Sequence, residues 1–203
     1  MKQVIRHASL VAAAVLIAAC GKKEDVAPVA EAPPPAGDGP SIAAATATAE
    51  TAPGAAVQLA ATQGNTANGG LKITASGSGV KLSGMVQGLK PDSDFGFHFH
   101  EKGDCSAPDA TSAGAHFNPT NAAHGNPQNP PHHAGDMLNV RSDAQGVAEV
   151  SLDNADVSLQ TGQPNDILDK ALVMHAKPDD YTTQPSGDSG DRIACGVVAV
   201  QSN

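Results

Sequence analysis

From residue 55 onward, apolar residues recur at every second position in short runs, and turn residues separate the runs. Val80, Leu82 and Val86 fall on one face of an extended segment. Ala148, Val150 and Leu152 do the same, as do Ala171, Val173 and His175. A period of two is that of a strand with one buried face. Gly, Asn, Asp and Pro close the runs. The pattern predicts strands over 56–61, 71–75, 80–87, 94–101, 137–141, 146–152, 170–176 and 193–200. No ten-residue stretch of this region carries a helical stripe. Eight short antiparallel strands predict an all-β domain, an eight-stranded Greek-key β-barrel or sandwich. Two connections, 102–136 and 178–192, are too long and too polar to be hairpins. Long loops of this kind in a small domain usually carry function.

The chain before residue 55 has a different character. Lys2 and Arg6 precede a short apolar run, Ala8 to Ala19, that is too short to span a bilayer and reads as an export signal over 1–19. It ends Ile17-Ala18-Ala19-Cys20, which resembles a bacterial lipobox with Cys20 as the lipidated residue. Gly21 in place of Asp implies the outer membrane in that class of anchor. The alternative is an ordinary signal peptide with an incidental cysteine. Residues 20–54 are rich in Pro, Ala, Gly and Thr without apolar periodicity, and such a segment cannot offset its own chain entropy. The expected organisation is signal (1–19), lipidated Cys20 with a disordered tether (20–54), and one folded domain (55–203). The expected location is the periplasm or cell envelope, anchored to the outer membrane.

Charge and cysteine content narrow the classes. The domain holds 8 Lys plus Arg against 16 Asp plus Glu, with no basic run, so a nucleic-acid partner is not expected. Of three cysteines, lipidation of Cys20 leaves Cys105 and Cys195, an even pair in an exported protein, where disulfides persist. A bridge closing so long a loop contributes on the order of 5 kcal/mol in the chain-entropy model. Two free thiols are the alternative.

The distinctive chemistry is histidine. After the signal there are seven, at 98, 100, 116, 124, 132, 133 and 175, and Asp136 follows closely. A lone strand histidine is usually an ordinary polar residue, but here six fall within 98–133. His98 and His100 alternate with Phe97 and Phe99, so the imidazoles share one face and the phenyl rings point into the core. The remaining candidates lie on the loop 102–136, except His175, which comes from a distant strand. Imidazole suits copper and zinc, and a carboxylate can complete a zinc tetrahedron. Six or more candidate ligands are too many for one ion, so two neighbouring ions are expected.

The runs GFHFHEKGDCS, TSAGAHFNP, HGNP, HHAGD, ALVMHAKPDD and GDRIACGVV, in this order, resemble the copper,zinc superoxide dismutase family, the first two its bacterial periplasmic branch. The resemblance implies one copper and one zinc per subunit. It implies copper on His98, His100, His116 and His175, and zinc on His116, His124, His133 and Asp136, with His116 bridging as an imidazolate. It further implies a Cys105–Cys195 disulfide, Asp179 joining His98 to His124, and Arg192 beside copper, docking the anionic substrate. The H-x-G-D register favours His133 over His132, which is expected to face solvent. The implied activity turns two superoxide anions into oxygen and hydrogen peroxide by alternate reduction and oxidation of copper, with His116 exchanging a proton and zinc structural. Such an enzyme would protect the envelope from superoxide. By position, Lys102 and Lys177 are candidates for steering the substrate, with Asp188 and Asp191 opposing them. Phe99 is bulkier than the residue the family would put there. Monomer and homodimer both occur in the bacterial branch. The rival readings are a non-catalytic copper/zinc-binding surface lipoprotein and a β-sandwich interaction module. Retention of all four copper ligands and Arg192 disfavours the first, and the ligand constellation disfavours the second.

Overall fold

The computed structural model describes residues 54–201. The predicted signal, Cys20 and the tether up to residue 53 lie outside the described residues. Ten strands follow in chain order: β1 Gly54–Ala61, β2 Asn68–Ser76, β3 Gly79–Gln87, β4 Asp94–Phe95, β5 Phe97–His100, β6 Val140–Arg141, β7 Ala148–Asn154, β8 Ala171–His175, β9 Arg192–Val197 and β10 Ala199–Val200. The only helical turn among the described residues is a 3-10 turn, Thr111–Ala113. All strand pairs are antiparallel.

One curled sheet runs β5-β8-β9-β1-β2-β3-β7, and β10 pairs with β1. A two-stranded ribbon, β4-β6, completes the set. The chain passes from β4 into β5 and from β6 into β7, so the ribbon ties together the two edge strands of the sheet. The neighbours β5–β8, β9–β1 and β3–β7 are not sequential, and these non-local pairings give the Greek-key topology. The expected all-β architecture is therefore present.

Every predicted strand has a counterpart, and the departures have local causes. The expected strand over 94–101 is broken at Gly96. Its N–H donates to Lys177 O (2.8 Å) and its carbonyl accepts from His175 N (2.9 Å), which fastens it to the start of the second long loop. The expected strand over 137–141 survives only as β6. The Asn139 N–H donates to the Tyr181 hydroxyl at 2.8 Å rather than to a strand. The last strand is interrupted at Val198, whose backbone pairs with Asp169 and Lys170 (3.0 and 2.9 Å). β2 begins earlier than predicted, through Gly69 and Gly70, residues of low strand propensity. At Gly69 a Cβ would collide with the Met85 carbonyl, so close approach to β3 requires glycine there. Gly54, predicted as tether, opens β1.

The alternation gives the expected inside. Val57, Leu59, Ile73, Val80, Leu82, Val150, Phe97, Phe99, Leu172 and Met174 fill the main core. β8 is buried on both faces. Leu172 and Met174 face that core, whereas Ala171 and Val173 join Ala110, Ala113 and Cys195 in a second cluster. The sheet β5-β8-β9 is therefore covered on its outer side by the loop 102–136. The Cys105–Cys195 disulfide, spanning 90 residues of sequence, pins that loop to β9.

Phe99 is fully buried with a histidine on either side in sequence. Phe99→Ala should cost about 3–5 kcal/mol by lost burial and cavity formation. Denaturant unfolding of the metal-free chain measures it.

Candidate metal centre

The site is built on the outer face of β5. His98 lies opposite Val173, and His100 opposite Ala171, while Phe97 and Phe99 lie opposite the core residues Met174 and Leu172. The loop 102–136 then runs back along the strand. Glu101 N donates to Ala115 O (2.9 Å), Phe117 N donates to Phe99 O (2.8 Å), and Phe99 N donates to Gly135 O (3.0 Å). This backbone pairing sets His116 beside His100 and brings His133 and Asp136 over the strand. β8 supplies His175 from the neighbouring strand.

Two four-residue sets result. One ligand atom from each of His98, His100, His116 and His175 lies within 4.8 Å of the others. The same holds for His116, His124, His133 and Asp136. All seven residues are buried, and His116 belongs to both sets.

Hydrogen bonds fix which nitrogen each ring presents. A carbonyl only accepts, so His100 Nδ1 donates to Gly114 O (3.0 Å) and His175 Nδ1 donates to Gly190 O (3.2 Å). Their Nε2 atoms, left with lone pairs, face each other at 3.4 Å. His98 Nε2 donates to Asp179 Oδ2 (2.7 Å) and His124 Nε2 donates to Asp179 Oδ1 (3.0 Å). This leaves Nδ1 of each ring for the interior. His98 Nδ1, His116 Nε2, His124 Nδ1 and His133 Nδ1 are buried and make no hydrogen bond. His124 Nδ1 and His133 Nδ1 come within 3.0 and 3.3 Å of the Asp136 carboxylate, but these contacts are not aligned as hydrogen bonds. Burying lone pairs that converge on a common point is costly unless a cation shares them. The residues therefore fit metal. Four imidazoles suit copper, and three imidazoles with one carboxylate suit zinc.

The metal-free electrostatics reflect the same crowding. Burial, reinforced by the neighbouring imidazoles and Arg192, pushes His100 and His175 well below the usual histidine range. Burial also lowers His116 to about 4, although Asp136 opposes it. Burial would lower His124 too, but the close Asp136 carboxylate and the hydrogen bond to Asp179 outweigh it and raise that pKa to about 9. Burial would raise Asp136 and Asp179; the hydrogen bond from His116 and the close His124 and His133 rings hold Asp136, and bonds from His124 and His98 hold Asp179, far below the usual carboxylate range.

Beside the all-imidazole set opens a cavity of about 720 Å³, reached by His100, His116, His175 and Arg192. Arg192 is its one cationic wall residue, and Glu101 also lines it. The guanidinium donates to Ala110 O (2.7 Å) and Gly114 O (2.6 Å), both on the disulfide-pinned loop. Lys102 and Lys177, the steering candidates, do not line the cavity, and Lys177 pairs instead with Asp188 at 3.4 Å. His132 corrects an expectation. It joins neither ligand set, as anticipated, yet it does not face solvent. Its side chain is 11% exposed, with Nδ1 donating to His133 O (3.0 Å) and Nε2 3.9 Å from Asp156. The carbonyls of Gly114 and Gly190, which orient His100, His175 and Arg192, carry no side-chain signal and escaped the sequence reading.

An all-β Greek-key domain with a double imidazole centre defines a class of metal-binding protein. Residues 67–198 match the copper/zinc superoxide dismutase (SODC) family. Over 135 residues the chain is 42% identical to superoxide dismutase 2 (Cu-Zn) of Aquifex aeolicus, covering 64% of this chain and 78% of that one. It is 43% identical over 125 residues to the superoxide dismutase-like protein YojM of Bacillus subtilis, covering 59% of this chain and 63% of that one. The crystal structure of a SOD-like protein from Bacillus subtilis aligns with a TM-score of 0.63 at 40% identity, covering 70% of this chain and 96% of that one. The chain belongs to the copper/zinc superoxide dismutase family, and its two clusters fit a copper and a zinc site.

The shifts above set the stability of the metal-free chain against pH. Between pH 6.5 and about 4 the unfolded chain takes up a proton that buried His116 refuses, so acidification destabilises. His124 acts oppositely. Its contribution is full below 6.5 and is lost as pH rises through about 9. Melting temperature with chelator present should therefore fall on both sides of neutrality. A curve that stays level from pH 6.5 to 9 contradicts the His124 contribution.

Proposed function

We propose that the chain is an active superoxide dismutase. Copper would be held by His98, His100, His116 and His175, and zinc by His116, His124, His133 and Asp136. The observation that carries this reading is the complete double set sharing His116, with the Arg192 cation in the cavity beside the all-imidazole half. Bound there, copper supplies a one-electron redox couple, and redox-inert zinc holds the loop.

The protein's own groups account for the rest. Arg192, held by two carbonyls, attracts superoxide to the cavity and fixes its orientation beside the imidazoles. His116 Nε2, a lone pair buried at the border of the two sets, is placed to hold a proton and deliver it to the product. Asp179 keeps the His98 and His124 rings turned so that both Nδ1 atoms face inward. A net-acidic domain can still take an anion, because short screening lengths let one local cation dominate its own cavity.

The lipobox-like end of the signal and the Cys105–Cys195 disulfide support export to an oxidising compartment, with the chain tethered through Cys20 to the outer membrane. A second, non-catalytic reading has one specific support: a relative at 43% identity is named only as superoxide dismutase-like.

The deciding experiment is superoxide consumption by the full chain loaded with copper and zinc. The wild type is expected to be fast and His116→Ala much slower. Arg192→Ala should lower kcat/KM by about tenfold or more, as expected for loss of one preorganised charge. With one cation in the cavity wall, the rate should fall only modestly as salt is raised. A fully loaded wild type that consumes no superoxide supports metal binding without turnover.

A further inference from the structure

Two side-chain amides near the zinc-type set each bond twice to one residue's backbone, as a strand partner would. Asn139 Nδ2 donates to Asp179 O (2.9 Å), and the Asp179 N–H donates to Asn139 Oδ1 (2.8 Å). Gln184 Nε2 donates to His124 O (2.9 Å), and the His124 N–H donates to Gln184 Oε1 (3.0 Å). The first pair fixes the backbone of the carboxylate that orients His124. The second fixes the backbone of His124 itself.

The second pair is the less expected. Gln184 lies on the loop 178–192, which supplies no residue to either cluster, and it is an exposed residue whose two bonds to His124 are part-buried. An exposed amide gains little for general stability from bonds that water could replace. Its geometry nonetheless matches a buried histidine at both backbone atoms. The same loop also closes over the His124–Asp179 bond. Gly187, buried at φ +68, packs so tightly there that a Cβ would collide with Asp179 Oδ1 and press on His124 Nε2. Its N–H donates to Thr183 O (2.7 Å) and its carbonyl accepts from Asp180 N (2.9 Å), so the loop is held in that position by its own backbone.

We infer that Gln184 is a positioning residue for zinc retention: its carboxamide locks the backbone of His124 and makes the hold of the site on zinc depend on the 178–192 loop. The inference rests on the reading of His124 as a zinc ligand. Without the clip, His124 keeps its bond to Asp179 but its backbone is free to swing with the loop 102–136, so the ring leaves the metal more often. Mutations of groups that orient a ligand typically cost 10–100-fold in metal affinity. The solvent exposure of Gln184 places the expected effect at the low end, about tenfold.

The test is zinc release from the copper- and zinc-loaded full chain into excess 4-(2-pyridylazo)resorcinol, together with melting of the metal-free chain. Gln184→Glu keeps the shape and loses the donor, and Gln184→Met keeps the length and loses both bonds. Both are expected to release zinc about tenfold faster, with the metal-free melting temperature unchanged. Thr182→Ala, an exposed change on the same loop, is expected to release zinc at the wild-type rate. Release unchanged in both Gln184 variants overturns the inference and leaves the zinc reading standing. Faster release accompanied by a lowered metal-free melting temperature also overturns it, because the role is then one of general stability. A wild-type chain that takes up no zinc overturns the zinc reading and this inference with it.

Discussion

One buried carboxylate organises the centre. Asp179 accepts from His98 Nε2 with one oxygen and from His124 Nε2 with the other, and neither ring nor carboxylate is exposed. A neutral imidazole that donates through one nitrogen offers a lone pair through the other. The bonds to Asp179 therefore do more than hold two rings in place. They decide that both Nδ1 atoms are available, one in each ligand set. Because the two sets meet at His116, an error in the orientation of either ring would be felt across both. Asp179 is in turn held by the Tyr181 N–H and by Asn139, so the second long loop and the approach to β6 converge on it. The cost is visible in the fold, where the expected strand over 137–141 gives up most of its pairing.

The rest of the architecture makes room for this polarity inside an apolar body. A strand with alternating Phe and His can be buried only if both of its faces are covered. The barrel core covers the phenyl face, and the loop 102–136 covers the imidazole face. The loop contributes few apolar anchors of its own, Ala110 and Ala113 among them, so it is fixed by other means. The Cys105–Cys195 bridge, the Phe99–Phe117–Gly135 backbone bonds and the clamp on Arg192 all serve that end. Gly114 O receives both His100 Nδ1 and the Arg192 guanidinium, so one carbonyl sets the position of the cavity-wall cation relative to a copper-type ligand.

The strands, their order along the chain and the histidine-rich segments that cluster were legible because each leaves a side-chain signature. Alternation marks the inner face of β3 and β7, and the i, i+2 spacing of His98 and His100 survives any small error in strand ends. Boundaries were less legible. Gly96 and Val198 break strands through backbone bonds to residues far along the chain, and nothing in their own identity announces it. The solvent-facing expectation for His132 failed for a similar reason. Excluding it from the ligand sets did not say where else the ring would go, and it packs against the loop with Nδ1 on the neighbouring carbonyl. The orienting carbonyls of Ala110, Gly114 and Gly190 could not be read at all, since any residue supplies a carbonyl. The signal, Cys20 and the tether rest on the sequence alone.

The electrostatics of the metal-free centre show why metal and fold belong to one balance. Three imidazoles driven toward neutrality by burial and two carboxylates held ionised by their neighbours describe a site arranged for cations it must otherwise replace with protons. His124 is where that replacement occurs, since its pKa moves upward while those of His100, His116 and His175 move down. A proton there satisfies Asp136 and Asp179 only partly, because one proton cannot be shared among His116, His124 and His133 as a metal can. Ligand binding to the folded state alone stabilises that state, and a site preformed by hydrogen bonds forfeits least of the binding energy to ordering. The long loops, costly to close without metal, are thus held near their final course by the disulfide and by amide clips, which leaves the metals to complete the structure.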